Sequence, residues 1–229
     1  MGNKCNLYPD DEIQYSYQSQ RVVEAPVHPS EPKESTLLPL NDEDRILIFP
    51  DGSYYRGRVN VDRPEGQGKL VRKDGSSHEG EWKDGYPHGY GTVSYPNGDS
   101  YSGFFKKGKR DGKNGKYTTN EFTYIGDWVD GKMHGSGTLT FTNGEEYKGH
   151  FENNNFEGEG TYRYASGKLY SGMFVKGLKD GVGKMSFPNG STYQGNFSKG
   201  APSNNGVFKD NSGLTSMTEW KNGTLVLTK

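Results

Sequence analysis

Residues suited to covalent chemistry lie at the N-terminus, which reads Met-Gly-Asn-Lys-Cys. Removal of Met1 exposes Gly2 for N-myristoylation, and Cys5, the sole cysteine, is placed for palmitoylation. One myristoyl chain holds a protein only marginally on a membrane, whereas two acyl chains anchor it stably. Asn6 departs from the motif, which prefers Ser or Thr there. The sequence predicts acylation of Gly2 and Cys5; the alternative is an accidental Met-Gly start.

No other set of residues suggests catalysis or metal binding. A single cysteine excludes a Cys-based zinc site and an intramolecular disulfide framework. The repeated Gly-x-Gly segments are not followed by a helical period, which a dinucleotide-binding site requires. His88 and His134 lie 46 residues apart (134 − 88), too far to share one metal in a stacked sheet. We therefore expect no enzymatic activity, no metal and no cofactor.

Four cations lie close together at Lys106, Lys107, Lys109 and Arg110. Near a membrane, each such charge contributes about 1 kcal/mol of attraction to anionic head groups. Asp111 follows directly, and the net charge of the chain is −1, so no long-range field favours nucleic acid. The cluster predicts either an anionic-lipid contact or a solvated loop, and the interspersed acid favours the loop.

A period of 23 residues runs through the chain from Tyr55 onwards and positions the cations and histidines named above. Its anchor position holds, in order, Tyr55, His78, Tyr101, Tyr124, Tyr147, Tyr170, Tyr193 and Ser216. Four residues later stand Val59, Trp82, Phe105, Trp128, Phe151, Phe174, Phe197 and Trp220. Glycine recurs two, eleven and thirteen residues after most anchors. A fixed period of this length indicates a repeat architecture, in which each unit buries its apolar face against its neighbours.

Each unit is predicted to form two short strands. From Tyr147 to Phe151 alternate side chains share one face, and Asn143-Gly144 before them is a strong hairpin signal. Hydrophobic residues make up only 29% of the chain, which argues against a large core, while 13% aromatics and near-neutral charge argue against wholesale disorder. The predicted fold class is all-β: an elongated, single-layer antiparallel meander of 23-residue repeats, twisted or curved along its axis.

The pattern Tyr-x-Gly-x-Phe/Trp, then Gly-x-Gly-Thr with alternating apolar residues, then Asn/Asp-Gly, resembles the MORN repeat (membrane occupation and recognition nexus). Residues 55–215 match it as seven units, and residues 216–229 match the opening of an eighth. The resemblance implies a curved sheet used in membrane-associated and cytoskeletal scaffolds, in which several relatives bind a partner along an aromatic-lined groove. The corresponding face here would comprise Tyr101, Phe105, Tyr124, Trp128, Tyr147, Phe151, Tyr170 and Phe174. The alternative is that these side chains serve packing.

The two ends of the chain depart from the repeat. Residues 1–44 are predicted to form a flexible, lipidated arm, because they have linker composition and no apolar period. Residues 45–229 are predicted to form the repeat domain, with a capping strand in 45–54 and a capping half repeat in 216–229. Such caps protect sheet edges from unwanted pairing.

The third unit is irregular. Gly112-Lys-Asn-Gly115 replaces Gly-x-Gly, and residues 119–122 replace the Asn-Gly turn, while the total length stays at 23. One extra residue is thus offset by one missing residue. This predicts a β-bulge that kinks the sheet and re-aims Tyr117.

Three functional classes remain open. The leading hypothesis is an intracellular, non-catalytic scaffold on the cytoplasmic face of a membrane or the cortical cytoskeleton, tethered by acyl chains. Its partner would be a protein helix or extended segment on the aromatic face, and a homodimer is also compatible with the sequence. The second is a structural component of a cilium or axoneme without a lipid anchor, which resemblance to radial-spoke relatives suggests. The third is an enzyme that uses loop carboxylates at the irregular unit, although an open sheet offers rows of groups instead of a pocket.

Overall fold

The computed structural model describes residues 36–39, 44–221 and 224–228, and every regular element within these ranges is a β-strand. The predicted acylation sites, Gly2 and Cys5, lie outside the described residues. Thr36–Pro39 forms a strand, so the region predicted as a flexible arm up to residue 44 contains a paired element. Pairing with Arg45–Ile48 gives the backbone of this short segment its hydrogen-bond partners. The linker-like composition of the surrounding residues does not predict this strand.

The described residues form two compact units, one extending to Gly137 and one starting at Thr138. The first contains β1 (Thr36–Pro39), β2 (Arg45–Ile48), β3 (Tyr54–Asn60), β4 (Arg63–Val71), β5 (Ser77–Lys83), β6 (Tyr86–Ser94), β7 (Ser100–Lys106), β8 (Lys109–Arg110), β9 (Gly112–Thr118) and β10 (Phe122–Val129). The boundary falls within β11 (Lys132–Phe141). The second unit continues with β12 (Glu146–Glu152), β13 (Asn155–Arg163), β14 (Leu169–Val175), β15 (Leu178–Ser186), β16 (Thr192–Ser198), β17 (Ala201–Lys209), β18 (Thr215–Lys221) and β19 (Thr224–Thr228).

Strands that follow one another pair antiparallel, for example β3 with β4 and β14 with β15. The register places glycines opposite each other, as in Gly57↔Gly68 and Gly172↔Gly183. The predicted all-β, antiparallel repeat meander is confirmed. The paired glycines matter for packing, because they leave space above the backbone that an aromatic ring can occupy.

Two kinds of tight turn join the strands. In the first, an Asx side chain caps the turn: the Asn143 Oδ1 atom accepts a hydrogen bond of 3.0 Å from the Glu145 backbone N–H, and Gly144 has φ of 89°. In the second, two consecutive residues have positive φ, as in Lys107 (49°) and Gly108 (81°). Such turns have the twist that an antiparallel hairpin requires. Asn143-Gly144, the hairpin signal of the sequence, forms a turn of the first type, in which only the glycine has positive φ, whereas Asp84-Gly85 and Asp130-Gly131 form turns of the second type.

The third unit contains the predicted irregularity. The register between β9 and β10 shifts between Gly126 and Trp128, and Asn114 takes a left-handed φ of 56°. The extra residue moves the partner of Gly103 from residue 114 to Gly115, whose Cα would lie 2.8 Å from a Cβ added at Gly103. Tyr117 stands sixteen residues after its anchor, and the bulge places it on the inner face opposite Tyr101. In regular units the residue fifteen after the anchor has this place, so the bulge re-aims Tyr117 towards the core.

Candidate functional site

Burial alternates along the strands and defines two faces. The inner face carries the anchor tyrosines and the aromatic residues four positions later, while the outer face carries the side chains between them. In β7, for example, Tyr101 and Phe105 are buried and Phe104 is exposed. The apolar core of the described residues therefore lies along the inner face.

Each anchor tyrosine lies flat on a pair of glycines. A Cβ added at Gly160 would meet the Tyr147 ring, 2.5 Å from its Oη and 2.6 Å from its Cε2. The Tyr147 hydroxyl donates a hydrogen bond of 2.9 Å to the His150 carbonyl oxygen. Tyr101, Tyr124 and Tyr170 donate in the same way to the carbonyl three residues on. Burial raises the pKa of these phenols, to about 12 for Tyr170, so they remain protonated donors.

The side chains predicted to form a partner-binding aromatic face are buried: Tyr101, Phe105, Tyr124, Trp128, Tyr147, Phe151, Tyr170 and Phe174 are each at most 3% exposed. Within each of the two units they make edge-to-face contacts; for example, the ring centroid of Tyr147 lies 5.1 Å from those of both Phe151 and Phe174. Each such pair contributes about 0.5–1.5 kcal/mol beyond the area it buries. These residues form the core, in agreement with the packing alternative. They present no exposed groove in this structure, and partner binding by them stays a prediction.

Arg110 is buried, contrary to its expected place in an exposed basic cluster. Its Cζ lies 4.4 Å from the ring centroid of Tyr117, 5.0 Å from Trp128 and 5.3 Å from Tyr101. The Arg110 Nη2 atom also donates to the Tyr95 hydroxyl at 3.4 Å. Residue 110 occupies the inner-face position nine residues after the anchor, so its guanidinium enters the aromatic core. Arg110 is therefore not available to a lipid head group.

Lys106, Lys107 and Lys109 are exposed on the turn between β7 and β8, where the basic cluster was predicted. The Lys109 Nζ lies 3.4 Å from the Asp130 carboxylate, and both side chains are largely solvated. An ion pair this exposed contributes little stability. The turn thus offers three lysines to solvent or to an anionic surface.

Lys179 repeats the buried-cation arrangement three units later (179 − 110 = 69, or 3 × 23). Its Nζ donates to the Tyr164 hydroxyl at 3.0 Å and lies 5.7 Å from the Tyr170 ring centroid. The sequence could have indicated this role, because the same position holds buried Met133 and Phe156 in other units. Burial follows the repeat position even where the residue type is a cation.

We predict that Arg110→Met keeps or raises stability, whereas Arg110→Ala lowers the free energy of unfolding by about 2–4 kcal/mol. Met133 fills the same position in the next unit, so a Met side chain fits the aromatic surroundings and removes the desolvation cost of a charge. Urea unfolding of both variants checks this. Equal losses for Met and Ala would instead show that the cation–π contacts dominate.

Two buried carboxylates were not predicted from the sequence. Tyr117 donates to Asp99 at 3.2 Å, and Tyr162 donates to Glu145 at 2.8 Å. Burial is the main cause that raises the pKa of Tyr117, to about 12. Both acids stand two residues before an anchor, where other units have a buried serine, and this inward-facing position was the available signal.

Within the described ranges, no cluster of three or more His, Cys, Asp or Glu side chains is placed to hold a metal. No helix there is long and apolar enough to cross a membrane. The histidines at 88 and 134 therefore have no part in a metal cluster among the described residues. The described residues expose two features that other molecules can contact. These are charged side chains on the turns and every second side chain along the strands, on the outer face.

These features define a β-repeat protein whose core consists of aromatic rings resting on paired glycines. The MORN repeat model matches residues 55–77, 78–100, 101–118, 124–146, 147–168, 170–192 and 193–215. The chain belongs to the MORN-repeat family. The third match ends at 118, where the irregular turn begins.

Two solved structures that the comparison finds share little sequence with the chain, and both have TM-scores below 0.5. The wild-type TCP10 domain of Danio rerio CPAP is 12% identical with a TM-score of 0.47, covering 89% of this chain and 98% of that domain. The Drosophila melanogaster SAS-4 (dCPAP) TCP domain, in complex with a proline-rich motif of Ana2 (dSTIL), is 9% identical with a TM-score of 0.37, covering 86% of this chain and 98% of that domain. Comparison with curated protein sequences finds no match.

Proposed function

We propose that this chain is a non-catalytic MORN-repeat scaffold that binds protein partners at a membrane surface or the cortical cytoskeleton, tethered by acyl chains on Gly2 and Cys5. The observation that carries the proposal is how the repeat divides its side chains between the core and the surface. The inner-face side chains are buried in the core, so the turns and the outer-face side chains are the parts that a partner can contact. A regular display of this kind suits contact with other macromolecules better than chemistry, which needs converging groups in a pocket.

The lysine turn supports a role at an anionic surface. Lys106, Lys107 and Lys109 are exposed on one turn, and each contributes about 1 kcal/mol near anionic lipid. Three such charges strengthen a singly acylated protein's weak membrane attachment, which is marginal on its own. The turn and the acyl chains would then act together.

Membrane fractionation of the wild type beside Gly2→Ala and Cys5→Ser tests the tether. We expect the wild type to sediment with membranes, Gly2→Ala to become soluble and Cys5→Ser to be intermediate, because one chain binds marginally and two bind stably. Intact mass spectrometry reports the acyl chains directly. Asn6→Ser is the matched control, since it restores the preferred residue of the motif and should retain the modification.

One result of the fractionation would contradict the acyl tether. If no acyl mass is found and all four proteins distribute alike, the tether does not exist. The protein would then be sought in a ciliary or cytoskeletal assembly that needs no lipid anchor.

A further inference from the structure

The outer face carries an exposed aromatic pair. Tyr90 and Phe104 are directly opposite each other on β6 and β7 and are 51% and 48% exposed. Their rings meet edge to face with centroids 5.6 Å apart, and the Tyr90 hydroxyl is hydrogen-bonded to the Ser102 hydroxyl at 2.7 Å. Aromatic side chains held in one geometry and open to solvent are typical binding anchors, since they offer large apolar area at little entropic cost.

A row of outer-face side chains crosses four strands beside this pair. Glu79 on β5 lies opposite Thr92 on β6. Thr92 lies opposite Ser102 on β7, and Ser102 lies opposite Lys116 on β9. The row thus has a carboxylate at one end, an ammonium at the other and two hydroxyls between them. At a strand spacing of about 4.8 Å, both charges lie about 7 Å from the midline between β6 and β7, the line that also halves the aromatic pair.

The neighbouring charges follow the same division. Glu81, on the β5 side, accepts a hydrogen bond of 3.4 Å from the Tyr90 backbone N–H. Lys113, on the β9 side, follows Gly112, where an added Cβ would lie 2.8 Å from the Phe104 Cβ. A ligand of either sign would therefore meet repulsion on one side of the aromatic pair. We name the outer-face side chains of residues 67–69, 79–81, 90–92, 102–104, 113–116 and 125–127, all within the first compact unit, the outer patch.

We propose that the outer patch binds the outer patch of a second copy of this chain, in a dimer whose two-fold axis lies between the two faces and follows the midline between β6 and β7. Such an axis reverses the order of the strands and keeps the position along each strand. Tyr90 of each copy then meets Phe104 of the other, and Glu79 of each copy meets Lys116 of the other. Every pairing occurs twice, as an isologous interface requires. The strands of the two sheets stay aligned, which is one of the two packings that face-to-face sheets adopt.

Two further pairings follow from the same axis. Glu81 and Lys113 flank the aromatic pair on opposite sides, so Glu81 of one copy meets Lys113 of the other. Asp127 on β10 meets Gln67 on β4, the cross-strand neighbour of Glu81, and the Gln67 amide can donate to its carboxylate. The carboxylates that would repel an acidic ligand thus each meet a donor of the second copy.

The margin of the outer patch adds an apolar contact. Lys69 extends the row of Glu79 on β4, where the two side chains form an ion pair of 3.1 Å. Ile125 extends the row of Lys116 on β10 and is 48% exposed. The axis brings the methylene chain of Lys69 against Ile125 of the other copy. No two like charges of the outer patch face each other in this arrangement.

Sedimentation velocity of the full chain without acylation, at about 1–500 µM, tests the dimer. Because the apolar centre of each patch consists of two half-exposed rings, we expect a reversible dimer with a Kd of about 10–100 µM. Glu79→Lys and Lys116→Glu should each weaken it about tenfold or more, since each places like charges opposite each other twice. An equimolar mixture of these two variants should dimerise again, because each changed residue then meets its opposite charge.

Two serine variants separate this surface from the rest of the outer face. Phe104→Ser removes a ring from the centre of the contact and should weaken the dimer about tenfold or more. Met173→Ser is the matched control, because Met173 occupies the same outer-face position three units later (173 − 104 = 69) and is 37% exposed. It should leave the Kd unchanged. Far-UV circular dichroism reports whether each variant is folded.

Several results would overturn the proposal. They are a wild-type chain that stays monomeric at about 500 µM, a dimer that the charge reversals leave intact, and a dimer that the mixture of variants fails to restore. A monomeric wild type whose binding to phosphatidylserine vesicles is lost in Lys116→Glu would identify a membrane as the occupant instead. The dimer goes beyond the scaffold function and needs neither an acyl chain nor another protein. Its failure therefore leaves the fractionation result untouched, and the converse also holds.

Discussion

Gly160→Ala is expected to lower the free energy of unfolding by about 3 kcal/mol or more. The backbone of Gly160 is not in the left-handed region, so alanine adds no backbone strain. The cost comes from the added Cβ, whose three nearest atoms all belong to the Tyr147 ring at 2.5–2.7 Å. The ring must move away from the glycines on which it lies. Its hydrogen bond to the His150 carbonyl and its contacts with Phe151 are then lost.

A double-mutant cycle with Tyr147→Ala isolates this cause. Tyr147→Ala alone should cost about 3–5 kcal/mol, and Gly160→Ala added to it should cost less than about 1 kcal/mol, because the ring that obstructs the Cβ is gone. Urea unfolding of the four proteins gives the coupling energy. Additive losses would show that Gly160 is required for some reason other than the tyrosine.

Gly144→Ala provides the control for the cycle. Nothing lies within 4 Å of a Cβ at Gly144, but its φ of 89° makes alanine strained. We expect a loss of about 1–3 kcal/mol that is the same with and without Tyr147. This separates the cost of left-handed backbone from the cost of collision.

Much of this arrangement follows from the sequence. The 23-residue period and the Asn-Gly turns predict the strands, because alternation and turn chemistry are local properties. The paired glycines were visible as two separate recurrences, two and thirteen residues after the anchor. What the sequence did not reveal was that each tyrosine lies on two glycines from different strands, since that depends on cross-strand register.

The candidate site was harder to predict, because composition does not fix which face a side chain occupies. Arg110 was grouped with three neighbouring lysines by charge, yet strand alternation places it in the core. Tyr90 and Phe104 were not singled out, although each stands three residues from a buried inner-face side chain of its own strand. If each side chain had first been assigned to a face of the sheet and only then grouped by charge, Arg110 would have been separated from Lys109. Phe104 would then have been identified as an exposed aromatic residue.

His78 is expected to make the protein less stable as the pH falls below about 6.5. It replaces tyrosine at the anchor of the second unit and is only 2% exposed, with neither ring nitrogen hydrogen-bonded. The rings of Trp82 and Phe105 enclose it at centroid distances of 4.9 and 4.7 Å. Burial, with a smaller contribution from the charge of Arg72, lowers the pKa of His78 to about 4.

The direction of the effect follows from this depressed pKa. The unfolded chain binds a proton at about pH 6.5, whereas the folded state resists protonation until about pH 4. Protonation therefore favours unfolding throughout this window, and stability that is complete above pH 6.5 is lost as the pH falls towards 4. Each tenfold difference in proton affinity between the two states corresponds to about 1.4 kcal/mol, so the loss reaches about 3 kcal/mol at the acid end of the window.

His78→Tyr should remove this pH dependence and raise stability at neutral pH. The glycines that seat the other tyrosines are present here as Gly80 and Gly91, which face each other across β5 and β6. The new hydroxyl could donate to the Glu81 carbonyl, as Tyr101 does to Phe104, and would replace two buried nitrogens that lack hydrogen bonds. The measurement is the difference in unfolding free energy between variant and wild type from pH 7.5 to pH 4, in which the titration of other carboxyl groups cancels. A difference that stays constant with pH would mean that His78 accepts a proton in the folded protein as readily as in the unfolded chain.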